Sequence, residues 1–358
     1  KRSRSRSRRN RQRPSASSDS IPDVTIGSNP APDSCGHANS TRLANEGRHT
    51  PSRYESLGEV GRGGWGIVEK AVDRQLDREV AVKRFTDADD VTEQERQRFL
   101  HEAKVTSQLQ HPGIVPVHEM RDQRDAFYVM KLLDGVTFRE FIQQHHQQYT
   151  TKRQTRFQFG ESLEPLLQRF VDVCNAVAYA HKRGVIHRDL KPSNVMISDF
   201  GETIVLDWGL AQSVNRNSVQ QHSSEGPNVC ETHAEVSSMI EPDGTIVGTP
   251  AYMSPEQAAG DISKIDQASD IYSLGVVLYT VIAGRHPYHG QPVETILEQV
   301  RNASFTDLRT IQPRTPSPLV SIVNKAMSAS AEDRYRSADQ LASDVRRFIA
   351  GDPVSVHR

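Results

Sequence analysis

The chain has 358 residues, of which 35% are hydrophobic and 25% are charged, so it can bury the core of one large domain or of two modest ones. Its three cysteines lie far apart in sequence and form no spaced pairs, so no disulfide framework or zinc-ribbon spacing can be read and a reducing compartment is expected. The longest apolar run, residues 271–284, is shorter than the roughly 20 residues that cross a membrane, and we interpret it as a helix buried on all sides.

The first 51 residues are rich in Arg, Ser, Asn, Pro and Asp and show no apolar periodicity. We predict a disordered arm and linker over residues 1–51, because this composition cannot bury enough surface to offset the entropy lost on ordering. Residues 1–14 carry eight positive charges and no acid, which leaves a net charge of -9 for residues 15–358. The arm could contact nucleic acid or an acidic partner. No aromatic residues lie between its arginines as stacking platforms, which favours a solvated linker.

Strands and helices follow in two blocks. Runs typical of strands occupy residues 54–61, 66–73 and 79–85. A helical stretch at 92–110 precedes further strand-like runs at 114–120 and 127–133. After Gly135 the pattern turns mainly helical, and we predict helices at 163–183, 270–283, 292–301, 317–328 and 338–350. The sequence therefore predicts an α+β fold, with a small β-rich lobe before a larger and mainly helical lobe.

The sequence GRGGWGIV, residues 61–68, fits the pattern G-x-G-x-x-G-x-V. Glycine lets the backbone approach phosphate oxygens where a Cβ would intervene. A dinucleotide-binding fingerprint would open a helix, but a strand follows here, and a Walker A loop would end in Gly-Lys-Ser/Thr, which is absent. A glycine-rich hairpin between two strands remains, covering the phosphates of a nucleotide. Its candidate nucleotide-binding residues are Gly61, Arg62, Gly63, Gly64, Trp65, Gly66 and Val68.

The strand after this hairpin carries VAVK, from which Lys83 could reach the α- and β-phosphates. A single lysine on a strand is usually a solvated surface charge, and a single glutamate on a helix usually is too. Here the next predicted helix contains Glu102, which is placed to pair with Lys83. Because the glycine hairpin, the lysine and the glutamate occur in this order, we predict the ion pair.

In this order the motifs resemble those of a protein kinase. Residues 111–120 are similar to the stretch leading into that family's fourth strand, and residues 128–135 to the end of its fifth strand and the hinge. The resemblance implies Met130 as gatekeeper, with Val68 and Ala81 on either side of the adenine ring of ATP. The hinge backbone that would hydrogen-bond adenine is that of Lys131, Leu132 and Leu133.

The resemblance covers roughly residues 54–350 and implies a two-lobed protein kinase fold. We predict a kinase domain over residues 52–350, with the N-lobe at 52–131, the hinge at 131–135 and the C-lobe at 136–350. Residues 351–358 resemble the end of the domain in bacterial receptor-like kinases and are interpreted as a linker. The kinase domain is expected to be cytoplasmic, and the linker would be juxtamembrane if a segment outside this sequence anchors the full-length protein in the membrane.

The string HRDLKPSN, residues 187–194 and here named the catalytic loop, is the most specific in the chain. In the kinase template Asp189 accepts the proton of the substrate hydroxyl and Asn194 binds a magnesium ion. Lys191 is the serine/threonine-kinase version of this loop and would contact the γ-phosphate. An eight-residue match in the right order leaves chance a remote explanation.

Two tripeptides compete for one role in the thirteen residues SDFGETIVLDWGL. Asp199 begins Asp-Phe-Gly, the metal-binding tripeptide of a protein kinase, and Asp207 begins Asp-Trp-Gly. After Asn194 the chain must run along one strand, turn and return along another before it offers a carboxylate to the same metal. Residues 195–197 and 203–206 are β-branched and apolar, as strands are, and the residues between them suit a hairpin turn. We therefore predict that Asp207 binds the metal and that Asp199 lies in the turn.

The sequences FGE and LDWGLA in this stretch are similar to those of some bacterial Hanks-type serine/threonine protein kinases, with DWG in place of DFG. The indole of Trp208 is larger than the usual phenyl ring, and its N–H needs a partner if it is buried.

The end of the activation segment is recognised in GTPAYMSPEQ, which resembles that of bacterial kinases. The resemblance implies that Thr249 lies near Asp189 and Lys191 and favours hydroxyl substrates. It also implies that Glu256 pairs with Arg334. Asp270 would hold the backbone of the catalytic loop.

Residues 207–256 number 50, which is long for this segment, and the excess is polar and rich in serine. We predict a mobile loop regulated by autophosphorylation, since Arg188 can pair with a phosphate. Thr245 is the first candidate phosphorylation site, with Thr249 and the loop serines behind it. Three residues of the loop only weakly suggest a metal site, given zinc spacing rules: His222, Cys230 and His233. A second insertion, residues 143–162, is interpreted as a solvated spacer between two helices.

The sequence thus predicts a non-specific serine/threonine protein kinase that uses ATP with Mg²⁺ or Mn²⁺. Its partners would be proteins with serine or threonine acceptors, and self-association would allow autophosphorylation between copies. One alternative is a pseudokinase scaffold, but degraded kinases usually lose at least one of the residues retained here, which are Lys83, Glu102, Asp189, Asn194 and Asp207. Another is a kinase directed to nucleic acid by residues 1–14.

Overall fold

The computed structural model describes residues 53–63, 66–85, 91–123, 125–151, 159–213 and 249–356. The predicted arm at residues 1–51 lies outside this part of the chain. Six residues that were assigned a role also lie outside it. Two belong to the glycine hairpin, Gly64 and Trp65, and four to the activation segment, His222, Cys230, His233 and Thr245.

An antiparallel sheet of five strands, in the order β1-β2-β3-β5-β4, forms the N-terminal lobe. The strands are β1 (Tyr54–Gly63), β2 (Gly66–Asp73), β3 (Arg78–Arg84), β4 (Val117–Arg121) and β5 (Phe127–Lys131). Alternation along these strands places apolar side chains on one face, where they form a small buried cluster. Its members are Tyr54, Ala71, Val80, Val82, Phe127 and Val129.

The other face of this sheet packs against helix α1 (Glu93–Gln108). The helix begins after Thr92, whose side chain and the carboxylate of Glu95 form a reciprocal capping box. Phe99, on the buried side of α1, lies against Tyr128 of β5 with ring centroids 5.2 Å apart. This packing sets the distance between α1 and the sheet, and therefore the position of every side chain that α1 directs at β3.

The C-terminal lobe is mainly helical. Its helices are α2 (Phe138–Thr151), α3 (Phe159–Lys182), α4 (Pro255–Ala258), α5 (Gln267–Ala283), α6 (Val293–Arg301), α7 (Leu308–Ile311), α8 (Ser317–Ala326) and α9 (Ala338–Ala350). Helix α5 is buried from Ser269 to Ala283, as its apolar sequence predicts, and ends at Gly284 with a φ of 74°. None of the helices in the described residues is long and apolar enough to span a membrane.

Among the residues that the structure describes, the C-terminal lobe also contains five short strands. They are β6 (Gly135–Thr137), β7 (Val185–Ile186), β8 (Val195–Ser198), β9 (Thr203–Val205) and β10 (Gln212–Ser213), with β6-β8-β9 forming one sheet and β10-β7 another. The predicted α+β architecture, a β-rich lobe followed by a helical lobe, is confirmed.

Residues 143–162 were interpreted as a solvated spacer, and Gln143, Gln144, Gln147 and Gln148 are indeed exposed, but the described residues belong to helices rather than to a separate connection. Residues 143–151 continue α2 and residues 159–162 begin α3. Phe138 and Ile142 anchor the first turns of α2 in the core, and the glutamines that follow are good helix formers, so the helix continues. His146 is half-buried and its Nε2 lies 2.9 Å from the Val281 carbonyl of α5.

Candidate active site

The pairing of β2, β3 and β5 places four predicted site residues on one face of the first sheet, together with Tyr128, which was not predicted. Residues directly opposite each other in an antiparallel pair project to the same side, and so do residues two apart on one strand. Val68 is opposite Lys83, Lys83 is opposite Tyr128, and Ala81 is opposite Met130. This face therefore places the Lys83 ammonium among Val68, Ala81, Tyr128 and Met130, while Lys70 and Glu79, farther along the same face, pair with each other at 2.8 Å.

Lys83 and Glu102 form the predicted ion pair between β3 and α1. The Lys83 Nζ lies 2.7 and 2.9 Å from the two carboxylate oxygens of Glu102, and both side chains are largely buried. The Tyr128 hydroxyl donates to Glu102 Oε1 at 2.7 Å. Burial lowers the pKa of Lys83, but the charges of Glu102 and Asp207 more than offset it, so this pKa lies above its ordinary value. Lys83 is therefore held as a cation, and Asp207 lies close enough to contribute.

The catalytic loop brings its predicted residues together. Asp189 Oδ2 lies 2.9 Å from Lys191 Nζ. The side-chain amide of Asn194 donates to the Asp189 carbonyl at 2.9 Å and to its carboxylate at 3.1 Å. Lys191 Nζ also donates to the Thr249 hydroxyl at 3.0 Å, as the predicted proximity requires. These contacts fix the Asp189 carboxylate between an ammonium group and an amide.

Asp270, fully buried near the start of α5, holds the catalytic loop from behind. Its carboxylate accepts hydrogen bonds of 2.8 Å from the backbone N–H groups of His187 and Arg188. His181 Nε2 lies 2.7 Å from the same carboxylate. Arg188 has a φ of 70°, an unfavourable backbone conformation for a non-glycine residue. The two amide hydrogen bonds compensate this strain immediately before Asp189, so the predicted role of Asp270 toward the loop backbone is confirmed.

The hairpin predicted between Asn194 and Asp207 is present. Strands β8 and β9 pair antiparallel with Val195 opposite Val205, and the four residues between the strands form the turn. Asp199 lies in that turn, Gly201 has a φ of 83°, and the Phe200 side chain is 97% exposed. The Asp-Phe-Gly tripeptide is thus a surface turn at the far end of the hairpin from Asn194.

Asp207 follows the returning strand and lies at the start of a bend. The Leu206 N–H donates to the Asn194 carbonyl at 2.8 Å, so the two predicted metal ligands are neighbours across the pair of strands. Asp207 has a φ of 59° and an exposed side chain, whereas Trp208 is fully buried against His187 with ring centroids 4.6 Å apart. A Cβ on Gly209 would lie 3.1 Å from a Glu102 carboxylate oxygen, which places this bend against the Lys83–Glu102 pair.

A family model described as "Protein kinase domain" matches residues 54–345 of the chain. The chain belongs to the protein kinase family. Curated relatives include the serine/threonine-protein kinases PknD of Protochlamydia amoebophila, 34% identical over 303 residues, and of Chlamydia caviae, 33% identical over 302 residues. The alignments cover 83% and 84% of this chain but 30% and 32% of those proteins, so the chain spans about a third of their length.

The PknD protein of Chlamydia trachomatis serovar D is similar to the same extent, with 32% identity over 310 residues, 84% of this chain and 32% of that protein. The predicted membership of the bacterial Hanks-type serine/threonine kinases is confirmed. The chain also has the two-lobed fold expected of this family.

The end of the kinase activation segment docks on the helical lobe through polar contacts. Glu256 in α4 forms the predicted ion pair with Arg334, at 2.8 and 2.9 Å. Ser269 donates to the same carboxylate at 2.6 Å. The Gln257 side chain donates to the Arg188 carbonyl at 2.8 Å, which links α4 directly to the catalytic loop.

The two strands of the glycine hairpin, β1 and β2, pair up to Gly63 and Gly66, and the hinge of the kinase follows β5. A Cβ on Gly66, whose φ is 150°, would lie 2.1 Å from the Arg84 carbonyl oxygen, so only glycine fits this position. In the hinge the Lys131 N–H donates to the Pro116 carbonyl at 3.1 Å. The Lys131 amide is therefore engaged within the protein, so it is not available to a nucleotide.

Several contacts of this kinase site were not predicted from the sequence. Tyr128, which fixes the Glu102 carboxylate, could have been found from strand register, since it is opposite Lys83. His181 and Gln257 carry no local signal, because each acts on a segment far away in the chain. The contact of His101 Nε2 with the Ala211 carbonyl, at 3.1 Å, ties α1 to the segment after Asp207 and also has no sequence signature.

Proposed function

We propose that this kinase domain transfers the γ-phosphoryl group of ATP to serine and threonine hydroxyls of proteins, with Asp189 accepting the hydroxyl proton. One observation carries the proposal: the Asp189 carboxylate, the Lys191 ammonium and the Thr249 hydroxyl form a connected chain, with separations of 2.9 and 3.0 Å. A general base for an alcohol needs a fixed carboxylate at the position that the alcohol reaches. Such a base typically contributes about 10²- to 10⁴-fold in rate.

The face that carries Lys83 supports a nucleotide site. Lys83 is held as a cation by Glu102 and would offset phosphate charge. Val68, Ala81 and Met130 lie on the same face and would contact the adenine ring. The hairpin residues proposed to cover the phosphates are Gly61, Arg62, Gly63, Gly64, Trp65 and Gly66.

Asn194 and Asp207 are proposed to hold the metal. Both supply hard oxygen donors, which suit Mg²⁺ or Mn²⁺. The Asn194 amide nitrogen is engaged by Asp189, which directs the amide oxygen elsewhere, and the Asp207 carboxylate is exposed. When bound, the metal supplies neutralisation of the charge on the transferring phosphates.

We further propose that the protein acts on itself. The support is a serine-rich segment of unusual length, with Thr245 as the first candidate acceptor and Arg188 as the residue that would pair with the phosphate. Association of two copies would allow one copy to phosphorylate the other. The scarcity of cysteine supports a reducing, cytoplasmic environment for the domain, and a contact of residues 1–14 with an acidic partner or nucleic acid remains part of the proposal.

Phosphate incorporation from radiolabelled ATP into the kinase and a protein substrate tests the assignment. We expect Asp189→Asn and Asp207→Ala each to lower the initial rate by about 100-fold or more. Asp199→Ala is the matched control, because it removes the same side chain from the exposed turn, and it should retain most of the wild-type rate. Circular dichroism would establish that all variants are folded.

Equal incorporation by the wild-type protein and both active-site variants would contradict the assignment. It would favour a scaffold that binds nucleotide without transferring phosphate. If Asp199→Ala greatly lowered the rate of phosphate incorporation while Asp207→Ala remained active, Asp199 of the Asp-Phe-Gly tripeptide would be the metal ligand instead.

A further inference from the structure

A cavity of about 180 Å³ opens beside the catalytic loop. Its wall is formed by α2, by the residues after Thr249 and by the loop that follows α5. Lys191 and Thr249 line it, and these are the two side chains connected to Asp189. The cavity volume is several times the roughly 30 Å³ that one water molecule occupies in the liquid. It can therefore admit a substrate side chain close to the acceptor hydroxyl.

The side chains around this cavity are strongly biased in charge. Besides Lys191, the lining contains Arg139, Arg285, His286 and His289, and it contains no aspartate or glutamate among the described residues. Neither Arg285 nor His289 forms an ion pair with an acidic side chain in the described part of the chain. Residues 15–358 together carry a net charge of -9. A cationic concavity therefore stands out on an acidic body.

The basic groups are close enough to affect one another. His286 and His289 have ring centroids 5.8 Å apart. Burial, followed by the nearby charges of His289, Arg139 and Arg285, lowers the pKa of His286 to about 4. The charges of Arg139 and Arg285 therefore act on the interior of the cavity, and they would attract an anion bound there.

Tyr252 and His286 form one wall of the cavity, and contacts with the buried helix α5 hold this wall in place. Ser273 of α5 donates to the Tyr252 carbonyl at 2.8 Å, and the Tyr252 ring lies 6.1 Å from that of His286. His286 and Tyr252 are half-buried, whereas Arg139 and Arg285 reach the surface at the rim. A fixed wall with exposed cations at the rim can accept a flexible anionic side chain without a large change of structure.

We propose that this cavity binds an anionic side chain of the protein substrate, carboxylate or phosphate, placed within a few residues of the acceptor serine or threonine. The inference rests on the proposed kinase function and narrows its substrate class. An ordinary solvated basic surface is the competing interpretation, but it does not account for the concave shape or for the shared residues Lys191 and Thr249. An extended peptide advances about 3.3 Å per residue, so an acidic residue near the acceptor can reach the cavity.

Binding of labelled peptides, measured by fluorescence anisotropy, tests the inference without relying on catalysis. Each peptide has alanine at the acceptor position and a single glutamate, phosphoserine or glutamine placed in turn at each neighbouring position. At one or more positions, glutamate or phosphoserine should bind about fivefold or more tightly than glutamine, and added salt should reduce the difference. The stronger of the two anions identifies whether carboxylate or phosphate is preferred. Equal affinities at every position would overturn the inference.

Two variants locate the effect. Arg285→Gln and His289→Gln should each lower the ratio of affinities for the anionic and the glutamine peptide, whereas Arg336→Gln, an exposed position on the same lobe outside the lining, should preserve it. A ratio unchanged in both cavity variants would also overturn the inference.

The serine forms of the same peptides separate this inference from the proposed function. The ratio of kcat/KM for the anionic and the glutamine peptide should exceed about five in the wild-type protein. Failure to phosphorylate any peptide or the protein itself would count against kinase activity. The anisotropy result would still show whether the cavity binds an anionic side chain. Phosphorylation with the same kcat/KM for all peptides would overturn the inference and leave the kinase activity standing.

Discussion

Trp208 follows the proposed metal-binding aspartate, and its surroundings make two opposing contributions to stability. The side chain is fully buried and packs on His187, so it adds a large apolar surface to the core. Its indole N–H has no hydrogen-bond partner within the described residues. A buried donor left without an acceptor costs about 1–3 kcal/mol, which offsets part of the gain from burying the ring.

Trp208→Phe should therefore change the free energy of unfolding by no more than about 1.5 kcal/mol, because lost ring volume and removal of the unpaired N–H act in opposite directions. Trp208→Ala removes the whole ring and should cost about 3–5 kcal/mol. Urea unfolding followed by circular dichroism measures both changes. A cost above about 3 kcal/mol for Trp208→Phe would contradict this balance.

At the scale of elements, one buried ion pair joins three segments of the helical lobe. The Arg334 side chain is fully buried and donates to both carboxylate oxygens of Glu256 in α4. It also donates to the backbone carbonyl oxygens of Ala268, Ser328 and Ala329. The guanidinium is therefore fully satisfied, and it holds the end of the activation segment against α5 and the residues after α8.

Glu256→Gln should lower the free energy of unfolding by about 3–5 kcal/mol, because it leaves the Arg334 charge buried without its counterion. The exposed Glu332, in the turn before Arg334, provides the matched control, and Glu332→Gln should stay within about 0.5 kcal/mol of the wild-type protein. Urea unfolding at neutral pH is the measurement. Equal stability of the two variants would mean that the pair contributes little to the fold.

At the scale of the whole molecule, contacts other than the hinge join the two lobes. The Val205 N–H donates to the Gly113 carbonyl at 2.8 Å, and Ile114 forms a β-bridge with Val205. On the other side, His101 of α1 contacts the Ala211 carbonyl. The position of α1, and with it Glu102, is therefore coupled to the segment that carries Asp207.

Buried carboxylates in both lobes make the stability of the molecule sensitive to acid. Hydrogen bonds from Arg53 hold the pKa of Asp73 at about 2. Burial raises the pKa of Glu256 and of Asp270, but the partners Arg334 and His181 more than offset it, so both pKa values lie below normal. The unfolded chain therefore binds more protons than the folded chain in acid.

The stabilisation from these groups is complete above their unfolded pKa values, near 4, and is lost as the pH falls through the folded values. The pKa of His286 is also lowered to about 4, mainly by burial, so the unfolded chain takes up this proton from about pH 6.5 downward. The midpoint of thermal unfolding should thus fall gradually from pH 7 to about pH 5 and more steeply between about pH 4 and pH 2. Asp73→Asn should flatten this part of the profile. A wild-type midpoint that does not change down to pH 3 would contradict the expectation.

Local patterns predicted most of the elements. The strand predicted at residues 66–73 coincides with β2, and the helix at 338–350 coincides with α9. The strand predicted at 127–133 ends earlier, at Lys131, because the chain leaves the sheet at the hinge. The continuation of helix α2 beyond Ile142 and strand β6 were missed, since the apolar signal is weak after Ile142 and a three-residue strand has too short a pattern to detect.

Within the candidate site, the sequence by itself determined which residues are brought together: Lys83, Glu102, Asp189, Asn194 and Asp207 stand in an order and spacing that the strands and helices between them enforce. It also separated Asp199 from Asp207, because β-branched runs on both sides of a turn can only pair as a hairpin. Only the tertiary structure decided the contacts of Tyr128, His181 and Gln257, and the cationic cavity beside Thr249. Such features join side chains from segments far apart in the chain, and periodicity carries no information about which distant surfaces meet.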